Sequence, residues 1–589
     1  MFKTGLLRLA ALRNQPPSIT HKTKTQLSRM SQSTKAPKLH GRAFYESIGC
    51  PKLILAPMVE QSEFAWRLLT RSFLPADQNK QLLAYTPMFH ARLFHENAKY
   101  RETHFQPLKA SMPESPLPFE DARFNQSDLH LDGNHQTDRP LFVQFCANDP
   151  DDLLAAARHV QPFCDAVDLN LGCPQGIARK GHYGSFLQEE PDLIYKLINN
   201  LHLNLDIPVT AKMRILDTPE KTLDYAKMIL SAGASIITVH GRQRHQKGHN
   251  TGLADWSVIR YLRDNLPPDT VIFANGNILR YEDIPACLEA TGADGVMSAE
   301  GNLYDPSVFA HPPPAGQESR EYWRGKDGRG GYRMDAVLRR YMDIIHRYVL
   351  GQEPPTRKPL FMPGHDDTLV DTAVVEPVTE SLPSQKRPAE DEVVDGEAAE
   401  EPNGQPASKK QKQNKGENRK KNEKCQNPNL TPMQAHLFHM LRPLVSKHTN
   451  VRDALARCRA GDIAAYENVL SMVEAAVKEG LLEYENSPPE EAATEPQIRP
   501  EVDATKDESS LAAVAWCKRP WFICQPYVRP LPKEAIEKGS MQLTKKEKER
   551  LEREKEENKQ AGLVPEGRVE EQESNGEKVE VPKEGMVCG

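Results

Sequence analysis

The stretch CDAVDLNLGCPQGIARKGHYGSFLQEEPDLIYKLINNLHLNLDIPVTAKMRI, residues 164–215, contains one complete strand–helix–strand unit. Its two apolar runs, Ala166–Leu171 and Pro208–Met213, are short and nearly continuous, as expected for parallel strands that are covered on both faces. A helical pattern at Pro191–Leu201 lies between them. This order predicts two parallel strands that are joined by a crossover helix.

The same unit repeats along the chain from about Pro51 to Asp305. Eight such units over roughly 250 residues predict a (β/α)8 TIM barrel, an α/β fold. The alternative is a doubly wound open sheet, but the first strand–helix turn, Ala56–Glu60, has no GxGxxG motif. The eight predicted strands are Leu53–Met58, Leu82–Thr86, Leu141–Cys146, Ala166–Leu171, Pro208–Met213, Ile236–His240, Val271–Ala274 and Gly295–Ser298.

The rest of the chain divides by composition. Only 38% of the 589 residues are hydrophobic, 27% are charged and 47 are proline, which indicates a globular part diluted by disordered segments. Helical patterns return after the barrel at Tyr332–Leu350, Pro432–Leu444 and Val451–Leu482. The predicted organisation is a disordered basic arm (1–44), the barrel (45–310), a small all-helical domain (320–351 and 431–486), a low-complexity insert (352–430) and a charged, mostly disordered tail (487–589).

Charge and cysteine usage limit the classes of function. The net charge of −6 gives no general sign of nucleic-acid binding, so an RNA surface has to be a local patch. The ten cysteines form no CxxC pair and no cluster with zinc spacing, so we expect no metal site. No apolar run approaches the roughly 20 residues of a membrane span, so we expect no membrane partner.

Targeting signals in the sequence point in different directions. Residues 1–45 hold nine Lys or Arg and no Asp or Glu, which is typical of a mitochondrial transit peptide and equally of a disordered basic arm. Met30 offers a second start that would remove the first segment. The basic run Ala407–Lys424 fits a nuclear localisation signal, an RNA-binding patch or a solvated linker. Cytoplasm and nucleus are expected, and a mitochondrial form stays open.

Polar or glycine-bearing residues follow nearly every predicted strand, where the functional groups of such barrels lie. Lys212 in the barrel mouth needs an anionic partner, because an unpaired buried ammonium is costly. The turns after strands seven and eight, Asn275–Asn277 and Ala299–Gly301, expose backbone N–H groups that suit a phosphate. These features predict a bound anionic cofactor. A flavin fits, with Gln144 at its ring edge and His240 near its phosphate.

Cys173 lies in a Gly-Cys-Pro turn directly after the fourth strand. An ordinary cysteine thiol has a pKa of about 8.5 and is mostly protonated near neutral pH. No activating cation adjoins it in the sequence, so its position suits a general acid better than a thiolate nucleophile. The competing interpretation is a buried, inert cysteine.

At these residues the sequence closely resembles the tRNA-dihydrouridine synthase family. The DLNLGCPQ…KGHYGSFL and VMSAEGNL motifs look most like the eukaryotic branch that acts on uridines 16 and 17 of the tRNA D-loop. The resemblance is strong over about 45–310 and weaker over the helices that follow. The matching text is APMVEQSEFAWRLL (56–69), VQFCANDP (143–150), CDAVDLNLGCPQGIARKGHYGSFL (164–187), PVTAKMRI (208–215), TVHGRQRHQKGHNTGLADW (238–256), FANGNI (273–278) and GVMSAEGNLYDP (295–306).

The resemblance implies FMN as cofactor, NADPH or NADH as reductant and tRNA as substrate. Cys173 would be the catalytic proton donor to C5 of uracil. Asn170 and Arg214 are candidates for holding the uracil, and the helical part would contact tRNA. By motif match the cofactor-binding residues would be Pro57, Met58, Val59, Gln144, Lys212, His240, Asn275, Gly276, Asn277, Ala299 and Glu300.

One position departs from the broader family, in which many members end strand eight in Gly-Arg. Here the pair is Ala299-Glu300. A carboxylate beside a phosphate would repel it, so Glu300 is expected to point away. The phosphate would then be bound by backbone amides, His240 and Arg242. A small-molecule FMN reductase and a non-catalytic RNA-binding protein are the rival readings. The sequence leaves open whether messenger RNA is also a substrate, and it gives no oligomeric state.

Overall fold

A computed structural model of the protein describes residues 38–116, 124–364, 425–487 and 510–537. The predictions for the basic segment at 1–37 and for Ala407–Lys424 lie outside these residues. Among the described residues, no helix is long and apolar enough to cross a bilayer.

Eight parallel strands close into a barrel, as predicted. The ring closes because β2 (Leu82–Tyr85) pairs in parallel with both β1 (Leu53–Leu55) and β4 (Leu141–Cys146). On its other side, β1 pairs with the last barrel strand, β9 (Gly295–Ser298). The prediction missed one two-residue strand, Phe89–His90, which pairs with the end of β4. The barrel strands are β1 (Leu53–Leu55), β2 (Leu82–Tyr85), β4 (Leu141–Cys146), β5 (Ala166–Leu171), β6 (Val209–Arg214), β7 (Ala234–His240), β8 (Val271–Asn275) and β9 (Gly295–Ser298); β3 is Phe89–His90, and a hairpin follows of β10 (Tyr322–Arg324) and β11 (Gly330–Tyr332).

Strand β1 ends earlier than the predicted Met58. The Met58 amide donates to the hydroxyl of Ser62 at 3.0 Å, which takes this part of the chain out of the strand ladder. Residues 56–58 nevertheless remain buried at the mouth of the barrel.

Sheet register aligns the polar residues of neighbouring strands inside the barrel. One row pairs Gln144 with Asp168 and Asp168 with Thr210. Nearer the mouth, Asn170 pairs with Lys212. The outermost row continues from Arg214 to His240 and on to Asn275. Because parallel strands end at the same edge, the register places these side chains together at the C-terminal mouth.

Helices cover the outside of the barrel, and a first short helix covers its N-terminal end. In that helix Phe44 and Tyr45 are buried, and the Tyr45 hydroxyl donates to the carbonyls of Pro51 (3.2 Å) and Asp294 (3.1 Å). The helices are α1 (Gly41–Ser47), α2 (Phe64–Arg71), α3 (Ala91–Glu96), α4 (Ala98–His104), α5 (Pro150–Val160), α6 (Gly176–Gly181), α7 (Pro191–Asn204), α8 (Pro219–Ser231), α9 (Trp256–Asn265), α10 (Asp283–Thr291), α11 (Glu300–Tyr304), α12 (Met334–Ile344), α13 (Met433–Met440), α14 (Arg442–Lys447), α15 (Thr449–Arg457), α16 (Ile463–Asn486), α17 (Ser510–Cys517) and α18 (Pro532–Glu537).

The helices after the barrel pack against α2 through buried polar contacts. The His436 ring stacks on Trp66 with ring centroids 3.9 Å apart, and its Nε2 lies 3.0 Å from a Glu63 carboxylate oxygen. The Asn429 side-chain oxygen accepts from the Ala65 amide at 2.9 Å. The helical domain is therefore fixed to the barrel on the first helix that follows β1.

Two segments that the sequence assigned to the insert and the tail contain folded residues. Arg357 donates to Glu467 of α16 at 2.9 Å and lies 3.1 Å from Asp343 of α12. In the 487–589 segment, Ile523 is buried and forms a bridge with Arg333. The composition of these segments favours disorder, but their few apolar and arginine side chains find partners that only the folded barrel and helices supply.

Candidate active site

The turn that carries Cys173 is held by side chains of two adjacent strands. Cys173 follows the end of β5 by two residues and is 2% exposed. The side-chain oxygen of Asn170 accepts from the amides of Gly172 (3.1 Å) and Cys173 (2.9 Å). From β6, Arg214 Nε donates to the Gly172 carbonyl at 2.7 Å. The position of the thiol is therefore determined by the strands rather than by the loop alone.

Residues 184–187 cover this turn from the other side. The amide and the hydroxyl of Ser185 both donate to the Cys173 carbonyl, at 3.1 and 2.9 Å. Gly184 has φ +67°, and a Cβ on it would lie 2.8 Å from that same carbonyl oxygen. Only glycine fits this approach. The GHYGSFL part of the sequence thus fastens the Cys173 turn.

Apolar and sulfur groups surround the thiol. Cys173 packs with Cys146 and Tyr183 in a small buried cluster, and the half-buried Val59 packs against it. Burial raises the pKa of Cys146, and the neighbouring Cys173 raises it further. Such surroundings favour neutral thiols over thiolates. The predicted proton donor therefore belongs to a buried cluster against which one predicted flavin-lining residue, Val59, packs.

A chain of hydrogen bonds leads from the barrel interior to the Cys173 turn. Asp168 accepts from the Thr210 hydroxyl at 2.6 Å and from Gln144 Nε2 at 2.8 Å. Gln144 Oε1 in turn accepts from Asn170 Nδ2 at 2.8 Å. Because a carboxylate only accepts, Asp168 sets the direction of both amide groups. Because the Asn170 amide nitrogen donates to Gln144, its oxygen faces the Cys173 amide and accepts from it.

Asp168 sits at the base of this network, fully buried in β5. Burial raises its pKa to about 6, and the hydrogen bonds from Thr210 and Gln144 together with the charge of Lys212 limit the rise. The carboxylate therefore changes its protonation state just below neutral pH. A protonated Asp168 would lose part of its capacity to accept from Gln144.

Positively charged and imidazole groups gather at the ends of β6, β7 and β8. Lys212 Nζ donates to Asn275 Oδ1 at 3.0 Å, and Asn275 Nδ2 donates to the Met297 carbonyl at 3.0 Å. Arg242 donates from one terminal nitrogen to Asn277 Oδ1 at 2.9 Å, and its other lies 3.1 Å from His240 Nε2.

His240 is a neutral ring in this cluster. Burial lowers its pKa well below the usual value, and the charges of Arg214, Lys212 and Arg242 lower it further. With Arg242 donating to Nε2, the ring proton lies on Nδ1, which is buried without a hydrogen-bond partner among the described residues. A buried donor without an acceptor is costly.

The phosphate end of a flavin mononucleotide fits this arrangement. An anion beside Arg242 would compensate its positive charge, which is buried next to the charge of Arg214. Gly276 has φ +117°, and a Cβ on it would lie 2.6 Å from Ala254 Cβ and 3.2 Å from the His240 ring. Position 276 therefore has no room for a side chain, and its backbone stays accessible beside the cations. When FMN is bound, His240, Arg242 and the Asn275–Asn277 turn would hold it at this end, and Lys212 would contact its ring together with Gln144.

The remaining predicted residues border the same mouth. Pro57, Met58 and Ala299 are buried there, and Gln144 reaches it as part of the Asp168 network. Glu300, the first residue of α11, forms an ion pair with Arg529 at 2.7 Å. Sequence reasoning missed Asp168 and Arg529. The alternation of Asp168 and Asn170 along β5 is a signal for the first, whereas nothing local marks Arg529.

A closed barrel with a buried thiol and a cluster of cationic side chains at its mouth is typical of an FMN-binding barrel enzyme. Residues 54–348 match the family described as dihydrouridine synthase (Dus). The chain belongs to this family.

Curated relatives extend the match beyond the barrel. The tRNA-dihydrouridine(16/17) synthase [NAD(P)(+)] of Saccharomyces cerevisiae is 40% identical over 84% of this chain and 87% of the relative. The enzyme of the same name from Schizosaccharomyces pombe is 39% identical over 84% of this chain and 92% of the relative. A mouse protein with that name and the suffix "-like" is 43% identical over 48% of this chain and 53% of its own length.

Proposed function

We propose that this protein reduces uridine to 5,6-dihydrouridine in tRNA, at positions 16 and 17 of the D-loop, with FMN as cofactor and NAD(P)H as reductant. The names of the two yeast relatives support the substrate, the positions and the nicotinamide. The observation that carries the proposal is the Cys173 turn. The Cys173 thiol belongs to a buried cluster with Cys146 and Tyr183, and Val59, a predicted flavin-lining residue, packs against this cluster.

When bound, FMN supplies the chemistry that carries a hydride from NAD(P)H to C6 of uracil. The protein's own contribution is a proton for C5 of the base. The Cys173 S–H bond breaks and a C5–H bond forms, so the C5–C6 double bond becomes a single bond with one new hydrogen on each carbon. The thiolate then takes a proton from water.

Asn170 and Arg214 act on this step through the turn that they hold. The Asn170 side-chain oxygen accepts from the Gly172 and Cys173 amides, and Arg214 donates to the Gly172 carbonyl, which keeps the thiol at one position in the mouth. General acids contribute about 10²- to 10⁴-fold when they are positioned in this way. Direct contact of Asn170 or Arg214 with uracil stays a prediction.

The surface beside Cys173 favours a polynucleotide over a free base. Helix α6 begins three residues after Cys173 and exposes Ile177, Arg179 and Lys180. Two adjacent cations at the rim suit backbone phosphates, and an exposed apolar side chain suits a displaced base. The target uridine has to leave the tRNA stack to reach a buried thiol.

The experiment combines a spectrum with a product assay. Purified protein would be scanned for flavin absorbance and then incubated with NADPH and unmodified tRNA, with dihydrouridine mapped by mass spectrometry. Flavin together with dihydrouridine at 16 and 17 is the expected result. Flavin with NADPH oxidation but no dihydrouridine would instead favour a small-molecule reductase, and no flavin at all would favour a non-catalytic RNA-binding protein.

A further inference from the structure

The segment 510–537 is docked on the barrel and its hairpin by backbone and buried apolar contacts. The Cys524 amide donates to the Tyr332 carbonyl at 3.0 Å, and the Met334 amide donates to the Phe522 carbonyl at 3.1 Å. Phe522, Ile523 and Cys524 are each at most 1% exposed. This part of the chain therefore has a defined position on the β11–α12 junction.

From this position the segment continues to the C-terminal mouth of the barrel. Arg529 Nε donates to both carboxylate oxygens of Glu300, at 3.0 and 2.9 Å, and a second guanidinium nitrogen lies 2.7 Å from Oε1. Helix α18, three residues further on, contacts residues 248–250, which follow β7. A residue 229 positions away in sequence is thus brought to the end of β9.

Glu300 without a partner would oppose an anion at this place. It is the first residue of α11, directly after β9, whose neighbour β8 leads into the Asn275–Asn277 turn. The pKa of Arg242 is lowered to about 10, by burial first and then by Arg214; Glu300 raises it and Arg529 lowers it. Both members of the pair are therefore within electrostatic reach of the guanidinium that borders the phosphate end.

We propose that Arg529 is a positioning residue of the cofactor site: it cancels the negative charge of Glu300 and so allows the FMN phosphate to bind beside Arg242 and His240. The segment 510–537 is then part of the flavin site rather than an appendage of it. The inference rests on the proposed function in one respect, that the site takes FMN. A bidentate guanidinium–carboxylate pair suits this role because its geometry is fixed by the parallel hydrogen bonds.

A double-substitution cycle on flavin affinity tests the inference, with apoprotein titrated with FMN and followed by flavin fluorescence. Arg529→Gln is expected to raise the Kd for FMN about tenfold, because it exposes the phosphate to an unpaired carboxylate. Glu300→Gln alone should lower the Kd for FMN, because it removes a negative charge near the phosphate while Arg529 remains. The combined Arg529→Gln/Glu300→Gln variant should return to within about threefold of Glu300→Gln, because the two residues are coupled.

Arg519→Gln is the matched control. It removes a second guanidinium of the same segment, which pairs with Asp305 at 3.2 Å and donates to the Cys524 carbonyl at 2.9 Å. It should lower the melting temperature with a smaller effect on FMN affinity. An unchanged Kd in Arg529→Gln overturns the inference. A double variant that binds FMN as weakly as Arg529→Gln overturns it too, since that reports docking rather than charge. Failure of the unaltered protein to bind FMN would count against the proposed function instead.

Discussion

The two sides of the barrel mouth are built in different ways. On the Cys173 side, side chains from the adjacent strands β4, β5 and β6 are joined by hydrogen bonds between amide, hydroxyl and carboxylate groups. On the phosphate side, Lys212, Arg214 and Arg242 surround a neutral His240, and a carboxylate there is balanced by Arg529 from the far end of the chain. The thiol is thus placed by hydrogen-bond direction, whereas the phosphate site depends on summed charge.

This difference predicts two kinds of sensitivity. A hydrogen-bond network fails when one donor becomes an acceptor, even if size and shape are kept. A charge cluster tolerates changes in shape but responds to each added or removed charge, and salt screens it little where it is buried. The predictions on Cys173 and Asp168 below alter the Cys173 side and leave the phosphate side intact, whereas the last two change residues outside both sites.

Cys173→Ala should have the largest effect. Loss of the proton donor is expected to lower dihydrouridine formation at least about 100-fold, while the flavin spectrum and NAD(P)H oxidation persist. Single-turnover assays with unmodified tRNA measure dihydrouridine formation and NAD(P)H oxidation. Cys164→Ala is the control, because it removes a buried thiol at the opposite end of the same strand. Full activity in Cys173→Ala would remove it as the acid.

Asp168→Asn should come next, with a loss of about tenfold or more in kcat, since small displacements of a catalytic group are costly. Asn offers one acceptor where Thr210 and Gln144 need two, so the Gln144 amide loses its fixed direction. The unaltered protein should lose activity below about pH 6 as Asp168 takes up a proton, and the variant should lack this acid limb.

The same titration affects stability. The folded-state pKa of Asp168 lies above the unfolded value, so the native protein binds more protons between about pH 4 and 6. The free energy of unfolding contributed by this group therefore falls as pH rises through that window, by up to about 3 kcal/mol. Asp165→Asn, at the other end of the barrel, is the control. If the activity of Asp168→Asn still falls below about pH 6, the titration belongs to another group.

Replacing Arg179 and Lys180 together by Ala should weaken tRNA binding several-fold without altering the flavin. If both cations contact phosphates, the slope of log affinity against log salt should fall by about 2. Filter binding across a salt series measures this slope. Lys52→Ala removes an exposed cation from the N-terminal end of the barrel and should leave the slope unchanged. Equal slopes for all three proteins would place the RNA elsewhere.

Replacing residues 365–424 by a Gly-Ser linker of about ten residues should have the smallest effect, because the cost of closing a loop varies slowly with its length. Flavin content and dihydrouridine formation should stay within about twofold, and the melting temperature within a few degrees. The flanking residues are kept because Arg357 pairs with Glu467. Loss of soluble protein would show that the replaced residues are structural.

Sequence reasoning was accurate where a local pattern reports a local cause. The barrel strands are mostly apolar over three to seven residues, so the sequence pattern locates all eight, with ends that differ by up to three residues. The two-residue strand Phe89–His90 was missed because it is too short to show a pattern. The rule that functional groups follow barrel strands places Cys173, Lys212, His240 and Asn275 at one mouth from the sequence alone.

The remaining features required the tertiary structure. The sequence by itself determined the barrel, the order of its strands and which residues follow each strand, because these depend on neighbours along the chain. Only the fold decided that Asp168 orients Gln144 and Asn170, since amide direction depends on partners across strands. Only the fold decided that Arg529 meets Glu300. An ion pair depends on closeness in space, and two residues so far apart in sequence give no local pattern that predicts it.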